Sequence, residues 1–340
     1  MPPVPAAPAG SAPADVLRPP EDVKQMLYSL RDVLDGEIPR KRIDDNLLIG
    51  TWNLRAFGDL SQKWTSEKGD SPKRNLADVR AITDVISRFD VCAVQESRGN
   101  LKALRTVMQV LGQDWGFILT DVTEGSAGND ERLAFIYDTR RVKPSGLAAE
   151  IVIPQEVIDS SPAQNDSLRR QFARTPYAVS FQSAGQTFIL VTLHLIYGAK
   201  AEQRTPELQA IANWLKDWAT STADYGQNLI CLGDFNIDRK DDPNYQAFTQ
   251  TGLRPPPELD DLSRTTSDKP GKSSFYDQIA WFTDKGKAQL TLDYTNKAGR
   301  FEWTKHLLTD VDAVEKTWRI SDHYPLWAEF SMRERATRRV

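Results

Sequence analysis

Ile320-Ser321-Asp322-His323-Tyr324-Pro325-Leu326-Trp327 sets an acid beside a histidine, directly before a run (Leu326, Ala328, Phe330) that alternates as a half-buried strand does. The chain holds 3 histidines, and a second, His194, closes the apolar run Phe188-Ile189-Leu190-Val191-Thr192-Leu193. His306 has no such setting. Imidazole is the side chain that most readily changes charge near neutral pH, so scarce histidines at strand ends point to proton-transfer or phosphate chemistry. Taken singly, each is better read as a hydrogen-bonded structural residue.

Working outward, other apolar runs stop in the same way. Asn46-Leu47-Leu48-Ile49-Gly50-Thr51-Trp52-Asn53-Leu54 reads as a core strand ending near an amide, Asn53. Asp90-Val91-Cys92-Ala93-Val94-Gln95-Glu96 ends in a carboxylate, and Asn228-Leu229-Ile230-Cys231-Leu232-Gly233-Asp234-Phe235-Asn236 in an acid and an amide. A polar group closing a buried strand costs stability unless it is paired or put to use. In α/β proteins, strand ends are where sites assemble. One such ending means little, but repeated along one chain they are hard to explain as packing.

Between these strands the spacing predicts helices over 21–34, 76–89, 101–111 and 207–219, each with apolar residues recurring on one face. Further strands are expected over 115–119 and 133–137, a hairpin across a Gly/Ser/Asn turn, and over 177–181, 187–194 and 275–282. The first helix lies across the domain or serves a partner. Arg40-Lys41-Arg42 reads as a solvated hinge, residues 150–170 as a polar surface insertion, 253–274 as a long loop and 284–300 as a polar stretch. The expected layout is a disordered Pro/Ala-rich tail over 1–20, a helix and basic hinge over 21–45, one catalytic domain over 46–332 and a basic tail over 333–340.

Composition narrows the classes. Hydrophobic residues make up 40% of the 340, enough for a sizeable core. A net charge of −4 argues against coating nucleic acid by bulk charge, while leaving room for a local basic rim. Cys92 and Cys231 sit inside apolar runs and read as buried free thiols. No run approaches membrane-spanning length, and the N-terminus lacks a basic start and an apolar core, so a cytoplasmic monomer without membrane insertion is expected.

Glu96, Asp234 and Asp322 are hard oxygen donors, and Asn53 and Asn236 add neutral ones. That set suits Mg²⁺, or Mn²⁺ or Ca²⁺, rather than zinc. A divalent ion beside a phosphate stabilises the charge of in-line attack by water, and histidines pass protons or bond phosphoryl oxygens. A nearby carboxylate would orient each imidazole, with Glu131 and Asp277 as candidates.

In this order the motifs resemble the endonuclease/exonuclease/phosphatase superfamily, most of all its deoxyribonuclease I-like members. The series runs Trp52-Asn53-Leu54-Arg55-Ala56-Phe57-Gly58, Gln95-Glu96-Ser97-Arg98, Glu131-Arg132-Leu133-Ala134-Phe135, Arg174-Thr175-Pro176-Tyr177 and Thr192-Leu193-His194. It continues with Gly233-Asp234-Phe235-Asn236, Tyr276-Asp277-Gln278-Ile279 and Ser321-Asp322-His323-Tyr324-Pro325, spanning Leu47 to Phe330. The resemblance implies a four-layer α/β sandwich, two packed mixed β-sheets with helices outside and a cleft at one edge. It implies Glu96 as main metal ligand with Asp322 and Asn53 close by. It pairs His323 with Asp277 and His194 with Glu131, and lets Asp234 and Asn236 position nucleophile, phosphate or a second metal.

By the same resemblance Arg174 and Tyr276 contact phosphate, and Arg55 and Arg98 match arginines placed against DNA. Asn129 departs from the pattern, standing where the deoxyribonuclease I type has an aromatic residue two positions before the glutamate. The expected activity is a metal-dependent phosphodiester hydrolase nicking DNA with little sequence preference. The alternatives are a phosphatase or phosphodiesterase acting on an inositol phosphate, a lipid head group or another small phosphorylated molecule, and a catalytically silent binding module.

Overall fold

Strand β1 (Asn46–Phe57) alternates between two cores: Leu47 and Ile49 join the layer between two sheets, Leu48, Trp52 and Leu54 the layer beneath the helices. All five are fully buried. The alternation follows from the period-2 geometry of a strand, and apolar residues on both faces require cover on both sides. This computed structural model describes residues 14–123, 128–152, 154, 172–198, 203–220, 228–240, 242–268 and 273–332. Most of the 1–20 tail and of the 150–170 insertion, and the whole of the 333–340 tail, lie outside them.

The six-stranded sheet runs β12 (Asp293–Arg300), β13 (Leu326–Ser331), β1, β2 (Val91–Arg98), β4 (Glu131–Asp138), β3 (Trp115–Leu119). The seven-stranded sheet runs β11 (Lys287–Ala288), β10 (Phe275–Asp284), β8 (Leu229–Ile237), β7 (Gln186–His194), β6 (Tyr177–Ser183), β5 (Lys143–Glu150), with β9 (Leu253–Arg254) paired to β10. Pairing is antiparallel except for β1 with β2 and β7 with β8. Each parallel pair needs a crossover, and helices α2 (Leu76–Ile86) and α4 (Thr205–Thr220) supply it.

Helices α1 (Glu21–Glu37), α2 and α3 (Lys102–Leu111) cover the first sheet, and α4 with α5 (Pro243–Thr249) covers the second. Helix–sheet–sheet–helix is the four-layer sandwich expected from the sequence. Helix α2 starts on a capping box, in which the Asn75 side chain accepts from Asp78 N and Asp78 accepts from Asn75 N. Helix α1 buries Val23, Leu27, Leu30 and Leu34 and is pinned by a two-pronged Arg31–Asp84 pair at 2.8 and 3.0 Å, so it is part of the core.

Three readings need correction. Arg40-Lys41-Arg42 is solvated only in part: Arg40 and Arg42 are exposed, with Arg42 reaching the buried Glu329, whereas Lys41 is half-buried, its Nζ 3.3 Å from Asp138 and 4.6 Å from the Trp115 ring centre. The 253–274 loop carries β9 and a 3₁₀ turn, and the polar stretch 284–300 contains β12. Strand β5 and helix α5 also form where the sequence pattern predicts no element. Strands β5 and β12 are sheet edges, β5 largely exposed and β12 largely half-buried, so they lack the apolar alternation that reveals a strand.

One glycine is dictated by the close approach of β7 to β8. Gly233 has φ +131°, and a Cβ there would lie 2.2 Å from Leu193 O. Gly233→Ala is therefore expected to destabilise the protein by at least about 3 kcal/mol, through strain and a backbone clash together. The midpoint of urea unfolding checks this, and an unchanged midpoint would contradict the pairing of Leu193 with Gly233 across β7 and β8.

Candidate active site

Both parallel pairs deliver their polar ends to one edge of the sandwich. In the second sheet His194 faces Asp234 across β7 and β8, and Asp277 faces Asp234 across β8 and β10, so three strands set these side chains in a row. In the first sheet Asn53 stands beside Gln95, and the ladder breaks between Val94 and Ser97. Glu96 sits in that irregularity with φ +61°, and Asn236 has φ +51°. Bulges re-aim side chains, and left-handed backbone at non-glycine residues concentrates at functional sites. Glu96 Oε2 accepts from Ala56 N at 2.8 Å.

The decisive contacts join the sheets. Glu131 on β4 places Oε2 2.9 Å from Nδ1 of His194 on β7. Asp277 on β10 places Oδ2 2.6 Å from Nδ1 of His323, which stands just before β13. Asn53 Nδ2 on β1 donates to Asp234 Oδ2 on β8 at 3.0 Å. That same Oδ2 lies 3.6 Å from His194 Nε2 and 3.9 Å from His323 Nε2. Both imidazoles thus turn one nitrogen to a private carboxylate and the other towards Asp234. The Asn236 side chain donates to Leu195 O at 2.7 Å, and its backbone N–H donates to Asp234 Oδ1 at 2.9 Å.

Electrostatics follow from burial and pairing. Burial alone would raise the Glu131 carboxyl, but the bond to His194 and the charges of His194, Arg174 and Arg98 outweigh it and hold it down at about 2. Asp234 is likewise lowered: burial opposes the shift, and the two histidines overcome it. Burial lifts Asp277 to about 6 despite His323. Burial alone would lower His323, but Asp277, Asp234 and Asp322 more than offset it and raise the imidazole well above its ordinary value. Within the Asp277–His323 pair each charge favours the charged form of the other, against the cost of burial.

The remaining predicted site residues surround this centre. Arg174 Nε lies 2.6 Å from Glu131 Oε2, and Arg98 lies 3.6 Å from Glu131 and 3.8 Å from Glu96. Asn129 donates to Glu131 Oε1 at 2.6 Å, so it holds the carboxylate from a position expected to be aromatic. The Tyr276 ring centre is 6.1 Å from that of His323. Arg55 is 3.5 Å from Asp322.

Several supporting residues carry no sequence signal beyond their neighbours. Ser321 Oγ donates to Asn53 O at 2.6 Å and accepts from His323 N at 3.0 Å, so it fixes the two strand ends together. The indoles of Trp52 and Trp303 both donate to His323 O, at 3.0 and 3.2 Å. Fully buried Arg264 donates to Asp277 O at 3.4 Å, and Arg74 donates to the carbonyls of Arg55, Ala56, Arg319 and Ile320. Trp52 and Ser321 lie inside family motifs, whereas Trp303 and the two arginines do not. The arginines act on backbone oxygens far away in sequence, which no local pattern encodes.

Among the described residues, two groups of side chains have ligand atoms close enough to share an ion, Glu96 with Glu131 and His194, and Asp234 with Asp277 and His323. Asn53 Oδ1 and Asp322 Oδ1 are buried without a hydrogen-bond partner. An orphaned buried oxygen is costly, and both fit an oxygen-preferring divalent cation.

The family model described as Endonuclease/Exonuclease/phosphatase family matches residues 50–323. A protein named deoxyribonuclease from Thioalkalivibrio sp. (strain K90mix) is 25% identical over 198 residues, covering 56% of this chain and 46% of that protein. The match thus spans about half of that relative's length. The human Nocturnin catalytic domain with bound sulfate aligns with TM-score 0.54 at 14% identity, covering 85% of this chain and 94% of that one. D. rerio TDP2 complexed with single strand DNA product aligns at 0.52 and 17%, covering 84% and 98%. The mannosyl-6-phosphatase of Bacteroides thetaiotaomicron VPI-5482 aligns at 0.52 and 16%, covering 84% and 99%. These likenesses show the shared fold. Among the described residues no helix is long and apolar enough to cross a membrane.

Proposed function

The chain belongs to the endonuclease/exonuclease/phosphatase family, and from that premise we propose that it is a divalent-metal-dependent phosphodiesterase that nicks DNA with little sequence preference. The observation that carries this reading is the pair of imidazoles, each backed by its own carboxylate and both directed at Asp234 Oδ2.

Hydrolysis needs water to attack phosphorus in line while the opposite P–O bond breaks. One imidazole takes the proton that the water loses, and the other supplies a proton to the departing sugar oxygen. Asp234, already held by Asn53 Nδ2 at 3.0 Å, orients the water between the two rings. Glu131 and Asp277 are positioning residues that fix the tautomer of each histidine. Arg174 and Tyr276 face the phosphoryl oxygens, and Arg98 meets the strand at the rim.

Glu96, with Asp322 and Asn53, would hold Mg²⁺, with Mn²⁺ or Ca²⁺ as substitutes. When bound, such an ion supplies positive charge for a phosphoryl oxygen in the transition state. Burial of His194, Asp234, Asn236 and His323, each at most 8% exposed, keeps water from screening these interactions.

Supercoiled plasmid with the protein and Mg²⁺ is expected to yield nicked circles before linear DNA, and chelator to stop the reaction. Plasmid left supercoiled by folded, metal-supplied protein, with phosphate released from a panel of phosphomonoesters in parallel, would replace this reading with a phosphatase.

A further inference from the structure

We infer that Trp318 and Tyr197 are base-stacking platforms near the reacting phosphate, so that the favoured substrate is a DNA strand whose nucleobases are unpaired beside the scissile bond. This rests on the nuclease reading above and specifies its substrate.

Trp318 lies on helix α6 (Ala313–Arg319) and is 45% exposed, and Tyr197 follows His194 and is 58% exposed. Both rings are backed by a guanidinium. Arg55 Cζ is 3.9 Å from the Trp318 ring centre, and Arg204 Cζ is 4.6 Å from that of Tyr197. Neither arginine is loose. Arg55 donates to Thr317 Oγ1 at 2.5 Å and lies 3.5 Å from Asp322, while Arg204 donates to Asn236 O at 2.8 Å and pairs with Asp238 at 2.7 Å. Each aromatic ring is therefore held by structure that belongs to the catalytic edge.

Their placement ties both rings to His323. Tyr197 meets Tyr276 edge-on with ring centres 6.4 Å apart, and Tyr276 in turn stands 6.1 Å from the His323 ring. Trp318 is joined through Arg55 to Asp322, the residue before His323. An exposed aromatic plane with a fixed cation behind it accepts any base, because every base has a π-face. Bases inside a duplex are already stacked on their neighbours and present only edges to a protein. Arg55, committed to Thr317, Trp318 and Asp322, is not free to enter a groove. Platform and fixed cation together suit splayed bases better than a closed double helix.

The test compares one sequence offered as a single strand and as a duplex, with kcat/KM measured in Mg²⁺ for the full chain. The wild type is expected to favour the single strand. Trp318→Ala and Tyr197→Ala should each lower the single-strand to duplex ratio of kcat/KM about tenfold, mainly through KM. Trp318→Phe and Tyr197→Phe should restore most of the ratio, which a merely structural role would not require. Cleavage of DNA with a ratio unmoved by either alanine substitution overturns this inference and leaves the nuclease reading standing. A wild type that cuts neither substrate overturns both.

Discussion

His323→Ala is expected to slow plasmid nicking at saturating Mg²⁺ by a factor of about 10²–10⁴, the usual worth of a positioned general acid or base. The residue has little structural slack to lose. Its carbonyl is held by two buried indoles and its Nδ1 by Asp277 at 2.6 Å, so the imidazole is aimed before substrate arrives. Asp277→Asn should cost less at the optimum and move the pH–rate profile instead. Removing the carboxylate removes the largest influence holding His323 well above its ordinary value, so the protonation step shifts to lower pH. The initial rate of nicked-circle formation across pH gives both numbers. A His323→Ala protein nicking within about threefold of the wild type would exclude the ring from proton transfer.

The second large effect belongs to Glu96. Glu96→Ala is expected to raise the Mg²⁺ concentration for half-maximal nicking at least about tenfold, since an oxygen-preferring ion loses its charged ligand at the bulge. Titration calorimetry with Mg²⁺ measures the same loss without turnover. The backbone adds a second, opposite expectation. Glu96 is held at φ +61°, a conformation that costs about 1–3 kcal/mol for a side-chain-bearing residue and little for glycine. Glu96→Gly should therefore lose metal response while its thermal midpoint stays level or rises. A midpoint several degrees lower, with metal affinity intact, would make Glu96 a structural residue instead of a ligand.

The legibility of this protein divides along physical lines. Strands β1, β2, β7 and β8 are readable because they are buried on both faces and appear as unbroken apolar runs. Their polar last residues stand out against that background, and the ordered series of motifs identifies the family. Strands β5 and β12 are not readable, since an edge strand can be polar and still complete a ladder. Nor are the roles of Arg264 and Arg74, which are fixed by backbone carbonyls remote in sequence.

From the sequence alone come the residue types, the strand ends that carry them and the layered arrangement of helices and sheets. Which side chain meets which is settled only in three dimensions. Glu131 with His194, Asp277 with His323 and Asn53 with Asp234 each join the two halves of the sandwich. Local periodicity sets the face a residue occupies on its own strand. The register between two sheets depends on how the core between them packs, on residues such as Leu47, Phe135, Ile230 and Phe330, and no single stretch of chain contains that information.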